Sequence, residues 1–263
     1  MLATSDALYL SAAIGSVAVM IGSLERLAAP RLLADSALAG WPVSATSVPL
    51  LTRKSFQSSV GRLLAYPRVL GLIAACLACA VLLVVHPSSA LNAVAAGVIA
   101  ATYILLSMRS RFGGDGADQM TIILFVALAL AFAVGQQRAE VIVLWFITAQ
   151  VCLAYFTAGV AKLVSPLWRS GAALPEILAT HAYGHRRAAE ILARHRTAAA
   201  AMCWSVILLE CGFPLVLLGM APVTYLLVIT GALLHIGTAI LMRLNTFVWA
   251  FLATYPAVIY CTT

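Results

Sequence analysis

The sequence has 263 residues, of which 63% are hydrophobic and only 10% charged, with a mean hydropathy of +1.02 and a formal net charge of +7. Water-soluble domains carry about 25% Asp, Glu, Lys and Arg, so a soluble globular body is excluded and most of the surface must face lipid. Nucleic-acid binding is excluded with it, because no soluble module exists to present the basic residues.

A membrane-crossing helix needs about 20 apolar residues. Windows of this kind run over 7–24, 69–85, 90–108, 120–135, 141–164, 198–219, 223–242 and 246–260. They predict an all-α, polytopic integral membrane bundle of about eight transmembrane helices, forming a single transmembrane domain over 1–263. The first six residues contain no Lys or Arg, so the first window reads as a retained span rather than a cleaved signal peptide.

Charge placement predicts topology. Among the 16 Lys and Arg residues, only Arg138 falls in an even-numbered connection. The positive-inside rule then puts the odd-numbered connections in the cytoplasm and both termini on the non-cytoplasmic side of the cell membrane. Two of these cytoplasmic connections, 25–68 and 165–197, are long. The first mixes Pro30, Pro42 and Pro49 with an apolar patch at 37–41 and suits a short interfacial or re-entrant helix. The other contains a basic helical stretch, 185–196, expected to set topology and to adhere to the anionic headgroups of membrane lipids.

The connection 109–120 reads RSRFGGDGADQM. Its three glycines predict a tight turn, and Asp118 falls where the dipole of the next helix favours negative charge. Capping explains this segment, and lining of a cytoplasmic-side pocket is its functional alternative. The six cysteines all lie in apolar runs and read as small buried hydrophobes. Cys76 and Cys79 form a lone C-x-x-C whose alternative is a redox pair.

Ionisable side chains inside spans are expensive, which makes Lys162, Glu210 and His235 the candidate catalytic residues. Counting 1.5 Å per residue from the cytoplasmic ends of their spans, His235 is expected about 10 Å deep and Glu210 about 18 Å deep, with Lys162 near the surface. Pro214 cannot donate to the Glu210 carbonyl, so acid and helix interruption coincide. Each residue also has a structural reading: Glu210 could pair with His235 or an Arg, Lys162 could snorkel to the headgroups, and His235 could bridge two helices.

The segment Tyr155-Phe156-Thr157-Ala158-Gly159-Val160-Ala161-Lys162-Leu163, followed by Trp168 and Gly171, resembles a signature of the horizontally transferred transmembrane (HTTM) family. That family includes the vitamin K-dependent γ-carboxylases and bacterial proteins that help mature secreted peptide toxins. Glu210-Cys211-Gly212-Phe213-Pro214-Leu215 and His235-Ile236-Gly237 are similar to later family segments. DoxX-like membrane proteins share these features, and a quinone-linked redox component is the reading they imply. The HTTM resemblance implies an enzyme using a quinone-like lipid cofactor, with Lys162 as the base. It implies Tyr155, Asp118 and Gln119 as cofactor-binding residues, 117–121 standing where the carboxylases carry an Asn-Asn-His-Ser-Tyr-like stretch. It also implies a peptide or membrane-protein partner, and a non-catalytic membrane subunit is the remaining alternative.

Overall fold

The computed structural model describes residues 2–37, 40–45, 60–85, 88–109, 116–181 and 184–263. Thirteen α-helices are named here: α1 (Thr4–Ala28), α2 (Trp41–Ala45), α3 (Arg68–Val85), α4 (Ser89–Arg109), α5 (Gly116–Val134), α6 (Gln137–Val164), α7 (Pro166–Ser170), α8 (Ala173–Ala179), α9 (Arg186–Arg194), α10 (Arg196–Gly212), α11 (Ala221–Met242), α12 (Asn245–Leu252) and α13 (Tyr255–Thr262). A 3-10 stretch, Phe213–Leu218, extends α10. The protein is all-α, and among the described residues there is no strand.

Among the described residues seven helices are long and apolar enough to cross a membrane: α1, α3, α4, α5, α6, α10 with its 3-10 extension, and α11. Their outward faces confirm what that apolar surface meets. Along α11, Leu226, Ile229, Leu233, Ile236 and Ile240 recur at spacings of three and four and are all exposed. Such a stripe is one face of a helix, and in water it would be an uncovered apolar patch far beyond the scattered exposed residues of a soluble protein. This is a multi-pass transmembrane protein.

The eighth window is helical but broken. Residues 245–262 form two eight-residue helices, α12 and α13, separated at Ala253-Thr254. Pro256 has no N–H to continue the ladder, and at the break the Thr254 hydroxyl donates to the Phe251 carbonyl. The pair runs back along α11: Phe251 stacks on His235, the Tyr255 hydroxyl lies beside Gly231, and the Thr262 and Thr224 hydroxyls hydrogen-bond at 2.9 Å. The Tyr260 hydroxyl meets that of Thr4 at 2.9 Å, which ties the beginning of α1 to the end of α13.

The chain divides into two compact units, Leu8–Val143 and Met1–Ala7 with Leu144–Thr263. In the first, α3 buries Val69, Ile73, Cys76, Ala80 and Leu83, an alternating four-three spacing that lays a single seam along the helix. The inner faces of α4 and α5 carry Ala95, Ala96, Ala100, Ala117, Ala127 and Ala131. Small residues of this kind let helix backbones approach closely where lipid supplies no hydrophobic drive. Gly15 serves the same purpose on α1, since a Cβ there would fall 2.9 Å from Leu124. The cysteines are free thiols, with Cys76, Cys152 and Cys203 buried as core residues.

Arg109 ends α4. Among the basic residues assigned to topology, it has another task, being only 1% exposed and the largest fully buried side chain of the unit. Its two terminal nitrogens donate to the carbonyls of Leu64 and Leu33, so one guanidinium gathers two distant stretches of the connection 25–68. Beside it, Trp41 of α2 packs on Leu64. The short helix expected in this connection thus exists, but Trp41 is buried against protein. Pro49, Arg53 and Lys54 lie outside the described residues, as do Leu38, Ala39 and the glycine turn 110–115.

Arg109→Ala removes two charge-assisted donors and leaves two buried carbonyls unsatisfied, a loss on the order of 3 kcal/mol. The purified variant in detergent is expected to melt lower and to be cut faster by protease within 29–66. Arg109→Lys should not rescue it, because an ammonium lacks the fork that reaches both carbonyls. A wild-type melting curve for Arg109→Ala would refute the clamp.

Candidate functional site

The second unit holds the ionisable residues. Near the end of α6, the Lys162 ammonium donates to both carboxylate oxygens of Glu210 on α10, at 2.9 and 2.6 Å. The side chains are 21% and 9% exposed, so the pair is largely enclosed with one open edge at the lysine. There Lys162 Nζ sits over the Trp168 ring, 5.2 Å from its centroid. Trp168 lies on α7, which follows α6 after the single residue Ser165.

The pairing depends on a missing side chain. Gly159 lies one turn before Lys162, and a Cβ there would be 2.6 Å from the Cys211 nitrogen and 2.9 Å from the Glu210 carbonyl carbon. Only glycine lets α6 and α10 come this close. Gly171 does the same farther along, at φ 81°, where a Cβ would fall 2.5 Å from the Ala200 Cα. The spacing of Gly159, Lys162, Trp168 and Gly171 therefore has a physical content: close approach, charge, cover and turn.

Glu210, expected well below Lys162 by residue counting, is instead in direct contact with it. The first turns of α10 pack against the residues that follow α6. Trp204 Nε1 donates to the Arg169 carbonyl at 3.2 Å, and Gly171 rests on Ala200. Counting residues from a window end fixes only a position along one helix, not which residues of a neighbouring helix stand opposite it. Glu210 takes neither His235 nor an arginine as partner, and the Lys162 ammonium is turned to the Glu210 carboxylate. The helix does end where Pro214 predicts, at Gly212, giving way to the 3-10 stretch.

Two turns from Lys162, about 10 Å along α6, lies a second polar group. The Tyr155 hydroxyl is 2.7 Å from His235 Nε2 and 2.7 Å from the Tyr255 hydroxyl. All three are buried, with Tyr155 2% and His235 6% exposed. Aromatic rings enclose them: Phe213 stacks on Tyr155 with centroids 4.0 Å apart, and Phe251 on His235 at 4.3 Å. Phe213 is three residues after Glu210, so this aromatic layer sits next to the ion pair. A Cβ at residue 231 would lie 2.5 Å from the Tyr255 hydroxyl and 2.9 Å from that of Tyr155, so Gly231 gives the two phenols their room.

The structure thus brings Lys162, Glu210, His235 and Tyr155 into one unit. Asp118 and Gln119 belong to the other, in the first turn of α5. There Asp118 lies 3.6 Å from Arg26, whose guanidinium also sits over the Tyr103 ring at 5.5 Å. Tyr255, Phe251, Phe213 and Gly231 escaped the sequence reading. The signal available for Tyr255 was Pro256 interrupting the last window; for the others, aromatic residues and glycine in a span carry no mark of function. Among the described residues no cluster of His, Cys, Asp and Glu could hold a metal ion.

Searches of family models, of curated proteins and of solved structures return no match to this chain.

Removing one member of a largely buried ion pair leaves the other uncompensated, at a cost of about 3–5 kcal/mol, while replacing both by apolar groups is often neutral. Lys162→Met and Glu210→Leu should each lower the melting temperature, and the double variant should recover most of the loss. Additive destabilisation in the double variant would mean the two side chains do not act as a pair.

Proposed function

We propose that this chain is an HTTM-type enzyme of the cell membrane. Its Lys162–Glu210 pair removes a proton from an acidic hydroxyl on a lipid-soluble substrate of the hydroquinone class. The observation that carries this reading is the bidentate pair itself, set among apolar helices with one edge of the lysine accessible. In this reading the ammonium passes a proton to the carboxylate it already contacts at 2.6 and 2.9 Å. The resulting neutral amine is a base, and taking the substrate hydroxyl proton restores the ammonium. Glu210 is the internal acceptor that frees the amine.

The donor set fits such a substrate at the Lys162 edge, where the amine and the Trp168 face could meet a phenolic ring. It does not fit at Tyr155, whose ring is already stacked and whose hydroxyl is shared by two partners. Tyr155, His235 and Tyr255 act as positioning residues that hold α6, α11 and α13 around the pair.

The basic connections support a cytoplasmic location for the 165–197 side, and the Thr4–Tyr260 hydrogen bond supports a common side for both ends. Termini outside the cytoplasm follow from these together.

Hydroquinones oxidise in air faster once deprotonated, which supplies a readout. The protein in nanodiscs loaded with a hydroquinone is expected to raise the rate of quinone formation above that of empty nanodiscs. Lys162→Ala should return it to the empty-disc rate, and Glu210→Gln should lower it at least about tenfold. Unchanged rates in a folded Lys162→Ala protein would leave the pair as a helix tie in a non-catalytic membrane subunit.

A further inference from the structure

Beyond the ion pair, the helices that follow α6 enclose a cleft of about 450 Å³, lined among others by Ser170, Gly171, Glu176, Leu192, Ala193 and Arg196. Its frame is firm: Leu178, Ala189, Leu192 and Ala199 of α8, α9 and α10 form a shared apolar core, with Leu241 and Met242 of α11 packed against it. The cleft therefore belongs to the fold and is not a gap between loose loops.

Its chemistry is two-sided. Glu176 contributes a carboxylate and Arg196 a guanidinium, and among the described residues neither takes part in an ion pair. Opposite charges on the walls of one cleft, unpaired with each other, match a ligand that carries both charges in the reverse order. A simple anion meets the Glu176 carboxylate and a simple cation meets Arg196, so each is disfavoured. Location adds a third requirement. The cleft lies just past the end of a membrane-spanning helix, and Leu167 and Ile191 are exposed on the same short helices, as is Trp204 of α10. Exposed aliphatic side chains with an indole at a span end mark the membrane–water boundary.

We propose that this cleft binds the headgroup of an aminophospholipid. The phosphate would face Arg196 and the primary ammonium would donate to Glu176, with the acyl chains passing over Leu167 and Ile191. A choline headgroup matches the charges but has no N–H for the carboxylate, and a glycerol headgroup has no cation at all. The required chemistry, a phosphate and a primary ammonium a few atoms apart, also exists in soluble glycerophosphoethanolamine, so the lipid and the free headgroup must be separated by experiment.

The full chain in detergent is titrated with phosphatidylethanolamine, phosphatidylcholine and phosphatidylglycerol of identical acyl chains, and bound lipid is counted by native mass spectrometry. Phosphatidylethanolamine should be retained about tenfold better than either of the others, the value of one charge-assisted hydrogen bond. Glu176→Gln should reduce it to the phosphatidylcholine level and Glu176→Asp should keep the preference. Arg196→Gln should weaken both phosphatidylethanolamine and phosphatidylglycerol, and Ala193→Leu, which fills the cleft, should weaken all three. Glu176, Ala193 and Arg196 are exposed, so these substitutions spare the core. Lys162→Ala should leave lipid retention unchanged, which separates this site from the proton-transfer reading. Equal retention of the three lipids, a preference for phosphatidylglycerol, or selectivity surviving in Glu176→Gln would overturn the proposal. Displacement by an equimolar amount of glycerophosphoethanolamine would overturn the lipid as the source.

Discussion

An ammonium and a carboxylate cannot stand alone among apolar helices. Each loses several kcal/mol of hydration there, and only direct contact with the opposite charge offsets the loss. Much of the second unit can be read as the means to that contact. Gly159 removes the side chain that would hold α6 and α10 apart, and Trp168 returns over the lysine as soon as α6 ends. Pro214 ends the α-helix just after the acid, so that Phe213 turns toward Tyr155. The phenol–imidazole–phenol group and its stacked rings then pack the next layer, with the Tyr155 hydroxyl shared between His235 Nε2 and the Tyr255 hydroxyl. The same constraint is met differently at Arg109 in the first unit, where the two terminal nitrogens of the buried guanidinium donate to backbone carbonyls. There the charge organises a connection; in the second unit it faces an accessible edge.

Much of the fold was legible from hydropathy, because a span's demand for length and apolarity is met locally. Seven of the eight windows correspond to long helices, and the eighth to a broken pair covering the same residues. Lys162, Glu210 and His235 were legible for the converse reason, since charge in a span is rare. Their partners were not. Counting residues from a span end cannot reveal which residues of two packed helices stand opposite each other, so the contact between Glu210 and Lys162 is not visible in the sequence. Tyr255 is hidden in the last window, and Gly231 looks like any other span glycine until the phenols on either side are seen. Arg109 was read as one of many positive charges on a cytoplasmic edge, because nothing in its neighbourhood distinguishes a clamp from a topology signal. Placing Asp118 and Gln119 with Tyr155 drew on family resemblance alone, and in the structure Asp118 has a local partner in Arg26.

The interior contacts of this protein are decided by absent atoms as much as by present ones. At positions 159 and 231 the space that a methyl group would take is occupied by a neighbouring backbone or by two hydroxyls. Exposed aliphatic positions such as 226, 233 and 240 instead meet a fluid environment that adapts to any apolar shape. Tolerance to substitution is accordingly inverted with respect to size. Bulky outward residues can exchange among Leu, Ile, Val and Phe, whereas at Gly159 and Gly231 every replacement adds volume where there is none to spare.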